Sequence, residues 1–264
     1  MIKLKSKEKI IGVIQARLDS NRLPEKVLSK ILDKPMIFHL INRLRHSKAL
    51  SDVVISTTDR DIDKPLCEFA KSEGIPFFAG SEKDIADRLY ETGKKFNASG
   101  IFKVNGDCPL FDSSLADEAV QKYLSLVPRP DLVTNSVVRT YPEGMQYGLF
   151  NLQTLSVICK TLNNNFWREF VQMYIIENPD KFTVINIENK ENLSKLRWTV
   201  DYWEDLEFVR NVYENLYQKN NFFGISDILT LVKNNPQIGR LNEKYTSDLG
   251  FKSYEKLKDR NKIG

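Results

Sequence analysis

The sequence is poor in the residues that build metal centres and disulfide frameworks. It holds two histidines, His39 and His46, too few for a histidine-rich metal site. Its three cysteines, Cys67, Cys108 and Cys159, are odd in number and widely spaced, which argues against disulfides and against a zinc site. Long apolar runs are missing as well, and none approaches the roughly 20 residues that a membrane-spanning helix needs. The Lys-rich start at 1–9 leads into an apolar stretch, 10–14, too brief for the core of a signal peptide, so a cytoplasmic protein is expected. A strong charge of either sign is lacking too: 39 Lys and Arg face 35 Asp and Glu, a net charge of +4. The positive residues are spread along the chain and form no stripe with aromatics. That balance suits an enzyme of anionic ligands, with no nucleic-acid or membrane partner expected.

What is present is an alternation of strands, loops and helices in a chain whose 264 residues fit one large α/β domain, with or without a small appendage. The run 10–14 is apolar at nearly every position and reads as a buried parallel strand. A polar loop, 15–26, follows it. Pro35 then opens a helix in which Met36, Ile37, Leu40, Ile41 and Leu44 fall at helical spacing. Further strands are predicted at 53–55, 76–78 and 101–104, and helices at 65–73, closed by Gly74, and at 84–96. This order predicts a doubly wound, mostly parallel sheet, whose ligands lie beyond the carboxyl ends of its strands. The polar clusters at 15–26, 56–59 and 105–109 all fall at such ends.

After Pro128-Arg129-Pro130 the pattern changes. A strand is expected at 132–134, then a Tyr-, Gly- and Pro-rich excursion or hairpin at 139–150. Helices are expected at 152–162, 167–177 and 205–217, and strands at 182–187 and 196–200. The Asn220-Asn221 break divides a catalytic domain, 1–222, from a helical C-terminal appendage, 223–264.

Three clusters carry chemistry. Arg17, Arg22 and Lys26 crowd the loop after the first strand. Arg grips phosphate oxygens with a two-pronged fork, Lys adds a mobile point charge, and loop N–H groups can join the grip. The loop lacks the glycines and the Gly-Lys-Ser/Thr of a P-loop, which argues against a Walker-type ATPase. By charge alone, a solvated basic loop is the commoner meaning. The second cluster, Asn105-Gly106-Asp107-Cys108-Pro109, sets one carboxylate after a strand, with a glycine beside it. A carboxylate with waters and substrate phosphates is how Mg²⁺ is usually held; an ordinary turn is an equal reading. The third cluster, 196–206, places Asp201 at a strand end just before a helix. It is either a second metal ligand or a helix-start cap, and Asp205 has the capping reading only. Cys108 has no base near it in sequence and is not taken as a nucleophile, and His39 and His46 are read as structural or exposed.

In their joint order these clusters resemble a known family. The run Ala-Arg-x-x-Ser-x-Arg-Leu-Pro-x-Lys at 16–26 is similar to the N-terminal signature of the CMP-sugar-acid synthetases, which include the 3-deoxy-manno-octulosonate and acylneuraminate cytidylyltransferases. The closer resemblance is to the SpsF-type branch, linked to spore-coat and surface polysaccharide synthesis. It rests on Thr58-Asp59, Gly80-Ser81-Glu82 with Asp87-Arg88, Gly106-Asp107-Cys108-Pro109-Leu110, Arg168-Glu169 and Arg197-Trp198-Thr199-Val200-Asp201.

The resemblance implies a Rossmann-like sheet of the nucleotide-diphospho-sugar transferase (GT-A-like) type. It also implies transfer of CMP from CTP to an acidic or phosphorylated sugar-like acceptor, with pyrophosphate released. By it, Ala16, Arg17, Ser20, Arg22 and Lys26 hold the triphosphate, while Thr58, Asp59, Ser81, Arg88 and Asn105 recognise cytidine. Asp107 and Asp201 would bind Mg²⁺, and with Arg17 and Lys26 they form the expected catalytic set. Glu143, Arg168 and Glu169 are the acceptor candidates, although a surface helix would equally account for Arg168. A homodimer is implied too, with 139–150 as a candidate exchanged segment.

Two positions depart from the family pattern. Glu25 stands where relatives often carry Gly and is expected to face solvent; Phe170 stands where many carry His, which removes a polar contact to the acceptor. Three rivals stay open: a glycosyltransferase, for which the usual Asp-x-Asp is absent; a non-catalytic nucleotide-binding module; and the same transfer to a phosphonate, a polyol phosphate or an amino-acid phosphate.

Overall fold

In a computed structural model, described over residues 8–20, 22–245, 254–256 and 258–259, strand β1 (Ile10–Gln15) runs through the middle of a seven-stranded sheet. Its Ile10 and Ile14 enter one core while Ile11 and Val13 enter another. A strand covered on both faces needs apolar residues at both parities, which accounts for the unbroken run. The polar loop after β1 ends in a 3-10 turn, Lys26–Leu28, and a short hairpin of β2 (Lys30–Ile31) and β3 (Lys34–Pro35) that the apolar pattern does not announce. Next comes α1 (Met36–Arg45), beginning right after Pro35. The alternation continues through β4 (Val53–Thr58), α2 (Lys64–Ser72), β5 (Phe77–Gly80), α3 (Ile85–Lys95) and β6 (Gly100–Asn105). β4 and β6 flank β1, β5 flanks β4, and all these pairings are parallel.

The second half extends the sheet past β6. Helix α4 (Ser114–Ser125) is the one long helix the pattern did not reveal; two of its five buried residues are alanines, so its apolar stripe is faint. Then follow β7 (Leu132–Thr134), β8 (Gly148–Asn151) and α5 (Leu152–Thr161). The helix expected at 167–177 is two helices, α6 (Asn165–Glu169) and α7 (Val171–Ile176), because Phe170 leaves the helical region at φ −102°, ψ 44°. β9 (Val184–Asn186) closes the sheet, whose order is β5-β4-β1-β6-β8-β7-β9. β8 is antiparallel to both its neighbours, while β9 is parallel to β7, so the sheet is α/β and mostly parallel.

The expected strand at 196–200 is not one. Its backbone is divided between two loops: Trp198 N donates to Glu143 O at 2.7 Å, and Val200 N to Asp107 O at 2.9 Å. With no single neighbour, only an isolated bridge, Glu143 to Arg197, forms. Helix α8 (Trp203–Leu216) follows, then α9 (Ile225–Asn234) and α10 (Pro236–Gly239). Ile228, Leu231 and Ile238 join the same core as Ile10 and Ile14, so α9 and α10 pack on the sheet domain itself. The parts of the expected 223–264 appendage at 246–253, 257 and 260–264, and the Lys-rich start at 1–7, lie outside the described residues. Among the described residues no helix is long and apolar enough to cross a membrane.

Candidate active site

Two strand ends and one distant loop meet at the carboxyl edge of the sheet. β1 and β6 run side by side up to the pair Gln15 and Asn105. Beyond it, Gly106 N donates to Gln15 O at 2.8 Å. A Cβ on Gly106 would stand 2.7 Å from the Ala16 Cβ, so glycine is what lets the two loops touch. The loop after β1 is held from outside: Leu18 N donates to the buried Asp63 at 2.6 Å. Glu25 takes a left-handed backbone, φ 54°, that turns the chain so that Lys26 points inward. Its own side chain is exposed. The family preference for glycine at this position has its physical reason here, because only glycine adopts that conformation without steric cost.

Lys26 is the centre of the floor. It is 8% exposed, and its ammonium donates to Asp107 at 2.9 Å, to Asp201 at 2.8 Å and to the Val200 carbonyl at 2.7 Å. Burial opposes the charge, but the two carboxylates outweigh it and raise the Lys26 pKa. Arg22 reaches Asp201 from the loop side at 2.7 Å, and Arg197 reaches it from below at 2.9 Å. Burial opposes the Asp201 carboxylate as well, yet Lys26, Arg22 and Arg197 hold its pKa far below the usual carboxylate range. Arg197 also pairs with Asp205 at 3.0 Å and Glu143 at 3.1 Å. Asp205 in turn accepts from the backbone N–H groups of Asp201 and Tyr202, which caps α8 and orients Asp201. From the C-terminal segment, Asn242 donates to Asp205 at 2.9 Å and to the Arg197 carbonyl at 3.0 Å.

Above this floor opens a cavity of about 400 Å³. Ala16, Arg17, Ser20, Arg22, Lys26, Arg88, Asn105, Asp107, Glu169 and Asp201 all line it. Arg88 is buried and its Nε finds no partner among the described residues. Burial and the neighbouring Arg17 lower its pKa. Across the rim, Arg60 pairs with Asp19 at 2.9 Å and Glu82 at 2.7 Å. A second cavity of about 360 Å³ shares Gln15, Ile85, Asn105 and Glu169 with the first, so the two chambers meet there. Glu143 lines the second chamber.

Four of the expected ligand residues lie outside both linings. The Thr58 hydroxyl bonds to Asp63 and braces the loop. Asp59 is exposed at the end of β4. The Ser81 hydroxyl accepts the Asp84 N–H, at the start of α3. Arg168 is committed elsewhere: it pairs with Asp84 at 2.6 Å and donates to the Cys159 and Leu162 carbonyls, clamping α6 to the flanking helices. Burial, then Asp107, raises the Cys108 thiol pKa well above its ordinary value, which fits an inert cysteine. Sequence reasoning assigned no role to Gln15, Lys103, Glu143's partner Arg197 or Asn242. The signal for Lys103 was present: a single charge inside an otherwise apolar strand.

An open, mostly parallel sheet that presents Arg17, Arg22 and Lys26 over two aspartates at its carboxyl edge is the frame of an α/β nucleotidyltransferase. Comparison with known proteins narrows this. The family model for cytidylyltransferases matches residues 11–228, and the chain belongs to that family, as a CTP-dependent nucleotidyltransferase. It is 33% identical to an uncharacterized protein of Methanocaldococcus jannaschii, over 95% of this chain and the whole of that one. With the spore coat polysaccharide biosynthesis protein SpsF of Bacillus subtilis the identity is 28%, over 86% of this chain and 95% of that one. The structure of a cytidylyltransferase from Leptospira borgpetersenii matches with a TM-score of 0.82 at 32% identity, covering 88% of this chain and 97% of that one.

Proposed function

We propose that this cytidylyltransferase moves CMP from CTP to an acidic or phosphorylated sugar-like acceptor and releases pyrophosphate, in the synthesis of a surface polysaccharide or glycoconjugate. One observation carries the reading: Lys26 lies between Asp107 and Asp201 on the floor of a chamber that Arg17 and Arg22 also line. An acceptor oxygen attacks the α-phosphorus in line; the bond from that phosphorus to the bridging oxygen breaks, and pyrophosphate leaves with the electron pair. Such a transfer needs positioning and charge neutralisation and no covalent nucleophile. Arg17, Arg22 and Lys26 supply the neutralisation, and the Asn105 and Arg88 side of the chamber is assigned to the base. The likeness to SpsF supports the polysaccharide role.

The donor set fits Mg²⁺ held partly by substrate. Among the described residues no group of three or more acidic, His or Cys side chains could hold a metal by itself. Asp107 and Asp201 nevertheless already share one cation, Lys26, and among the described residues the Cys108 thiol, at 3.4 Å, is the sole hydrogen-bond donor to Asp107 Oδ1. Mg²⁺ characteristically takes one or two carboxylates and completes its shell with phosphates and water. Asp107 and Asp201 would hold it, and the ion would add positive charge beside the α-phosphate.

A homodimer belongs to the same proposal. Val137 and Val138, 47% and 49% exposed and adjacent to the 139–150 segment, support it. A monomeric mass at micromolar concentration in light scattering would count against it. The nucleotide half is tested by thermal stability with Mg²⁺ and each of CTP, UTP, ATP and GTP. A ligand at ~100 times its Kd adds roughly 2.7 kcal/mol, so selective stabilisation by CTP is the expected result. Preference for another nucleotide would overturn cytidylyl transfer.

A further inference from the structure

Strand β6 delivers its side chains alternately to the two faces of the sheet. Phe102 and Val104 enter the core beneath α1 and α4, while Ile101 enters the core beneath α3 and α5. Lys103 falls on the Ile101 side, the side of Asn105 and of Gln15 on β1, and it lines the second chamber. Its antiparallel partner on β8 is Gly148, where a Cβ would stand 2.7 Å from the Gln172 side-chain oxygen. The sheet is therefore kept free of side-chain bulk directly beside the lysine.

A lysine in the middle of a central strand is costly unless something answers its charge. Lys26, Arg22, Arg197 and Arg168 are each ion-paired. Lys103 has no hydrogen bond and no ion pair among the described residues. Burial lowers its pKa, with Arg88 acting in the same sense and the Asp107 carboxylate acting through space in the opposite one. At the neighbouring junction of the two chambers, Gln15 Oε1 is buried without a partner among the described residues. The rest of the second chamber offers Ser136, Gln146 and Gln172 to hydroxyl groups, Phe150 and Val171 to the apolar face of a ring, and three further charged side chains, Arg139, Glu143 and Glu169.

We propose that the Lys103 ammonium binds an oxyanion of the acceptor, a carboxylate or a phosphate, and so decides which acceptors the enzyme takes. The inference rests on the cytidylyl-transfer reading and deepens it. The chamber is joined to the nucleotide chamber, so an acceptor seated there can face the α-phosphate. The anion of that acceptor completes a charge that the protein leaves unpaired, and a neutral sugar of the same size does not. One group on this chain that answers an acidic acceptor is thus a residue of β6, with Arg168 held away by Asp84.

The test uses the full-length protein saturated with Mg²⁺ and the α,β-methylene analogue of CTP, which fills the first chamber and cannot be cleaved. Tm is measured at constant ionic strength with D-gluconate, glycerol 3-phosphate or glucose added, for wild type, Lys103→Met and Lys103→Arg. In the wild type, gluconate or glycerol 3-phosphate should raise Tm above the value with glucose; which of the two does so separates carboxylate from phosphate recognition. Lys103→Met should lose that anion-specific increment entirely and keep the shift caused by the nucleotide analogue. Lys103→Arg, which retains the charge, should keep part of the increment. An anion increment that survives in Lys103→Met overturns the inference, and so does a wild type that treats all three probes alike. Loss of the nucleotide shift in the wild type would instead defeat the cytidylyl-transfer reading, and the two failures are distinguishable.

Discussion

Lys26→Met removes the cation that Asp107 and Asp201 share while keeping the length of the side chain. The wild-type ammonium makes three contacts of 2.7–2.9 Å within the floor. Breaking a buried pair by deleting one partner costs roughly 3–5 kcal/mol when the remaining ion has no relief. Relief exists here, because Asp201 keeps Arg22 and Arg197, and the Asp107 side chain is 26% exposed. The expected loss is therefore about 2–3 kcal/mol. For a chain of this size that lowers Tm by roughly 4–12 °C, read by circular dichroism at pH 7 without nucleotide or Mg²⁺. The difference should also vary with pH. The Lys26 pKa is raised in the folded state, so its stabilisation is complete below the ordinary lysine pKa and is lost as pH rises through the higher folded value. The wild-type advantage should hold across neutral pH and fade only at strongly alkaline pH. A Lys26→Met protein as stable as wild type at pH 7 would refute the reasoning, as would an advantage that disappears between about pH 7 and 9.

Other substitutions address the remaining parts of the site. Asp107→Asn should nearly abolish pyrophosphate release while the melting curve stays close to wild type; retained Mg²⁺-dependent turnover would sink the metal assignment. Glu25→Gly relieves a left-handed backbone and should stabilise by about 1 kcal/mol, seen as a rise in the denaturation midpoint at unchanged m-value. Because the folded Asp201 pKa lies far below its unfolded value, its stabilisation is present above the ordinary carboxylate pKa and is lost as pH falls through the folded one. The acid limb of wild-type stability should consequently be steeper than that of Asp201→Asn below about pH 5, and equal slopes in acid titration melts would contradict the pairing.

Much of the fold could be read along the chain. Amphipathic helices such as α3 and α8, and the fully apolar β1, announce themselves because burial acts on each residue's own side chain. α4 escaped because alanine contributes little contrast between its faces. The break at Phe170 escaped because nothing in the local pattern of 165–176 opposes one continuous helix. For the site, the loop at 16–26 and the turn at 105–109 were legible as charge and glycine patterns at strand ends. Arg197 was quoted only as part of a motif, and its hold on Asp201, Asp205 and Glu143 could not be seen in a linear pattern.

By itself the sequence determined that a parallel sheet passes through the core and that Arg17, Arg22, Lys26 and Asp107 gather at its carboxyl edge. It did so because strand periodicity and strand-end loops are local properties. Which cations are neutralised and which remain open was decided only by the tertiary structure. Lys26 and Asp201 stand 175 residues apart in the chain, Arg168 and Asp84 stand 84 apart, and no local rule pairs them. Lys103 and Arg168 differ in consequence only because folding brings a carboxylate within hydrogen-bond reach of one and a cavity to the other.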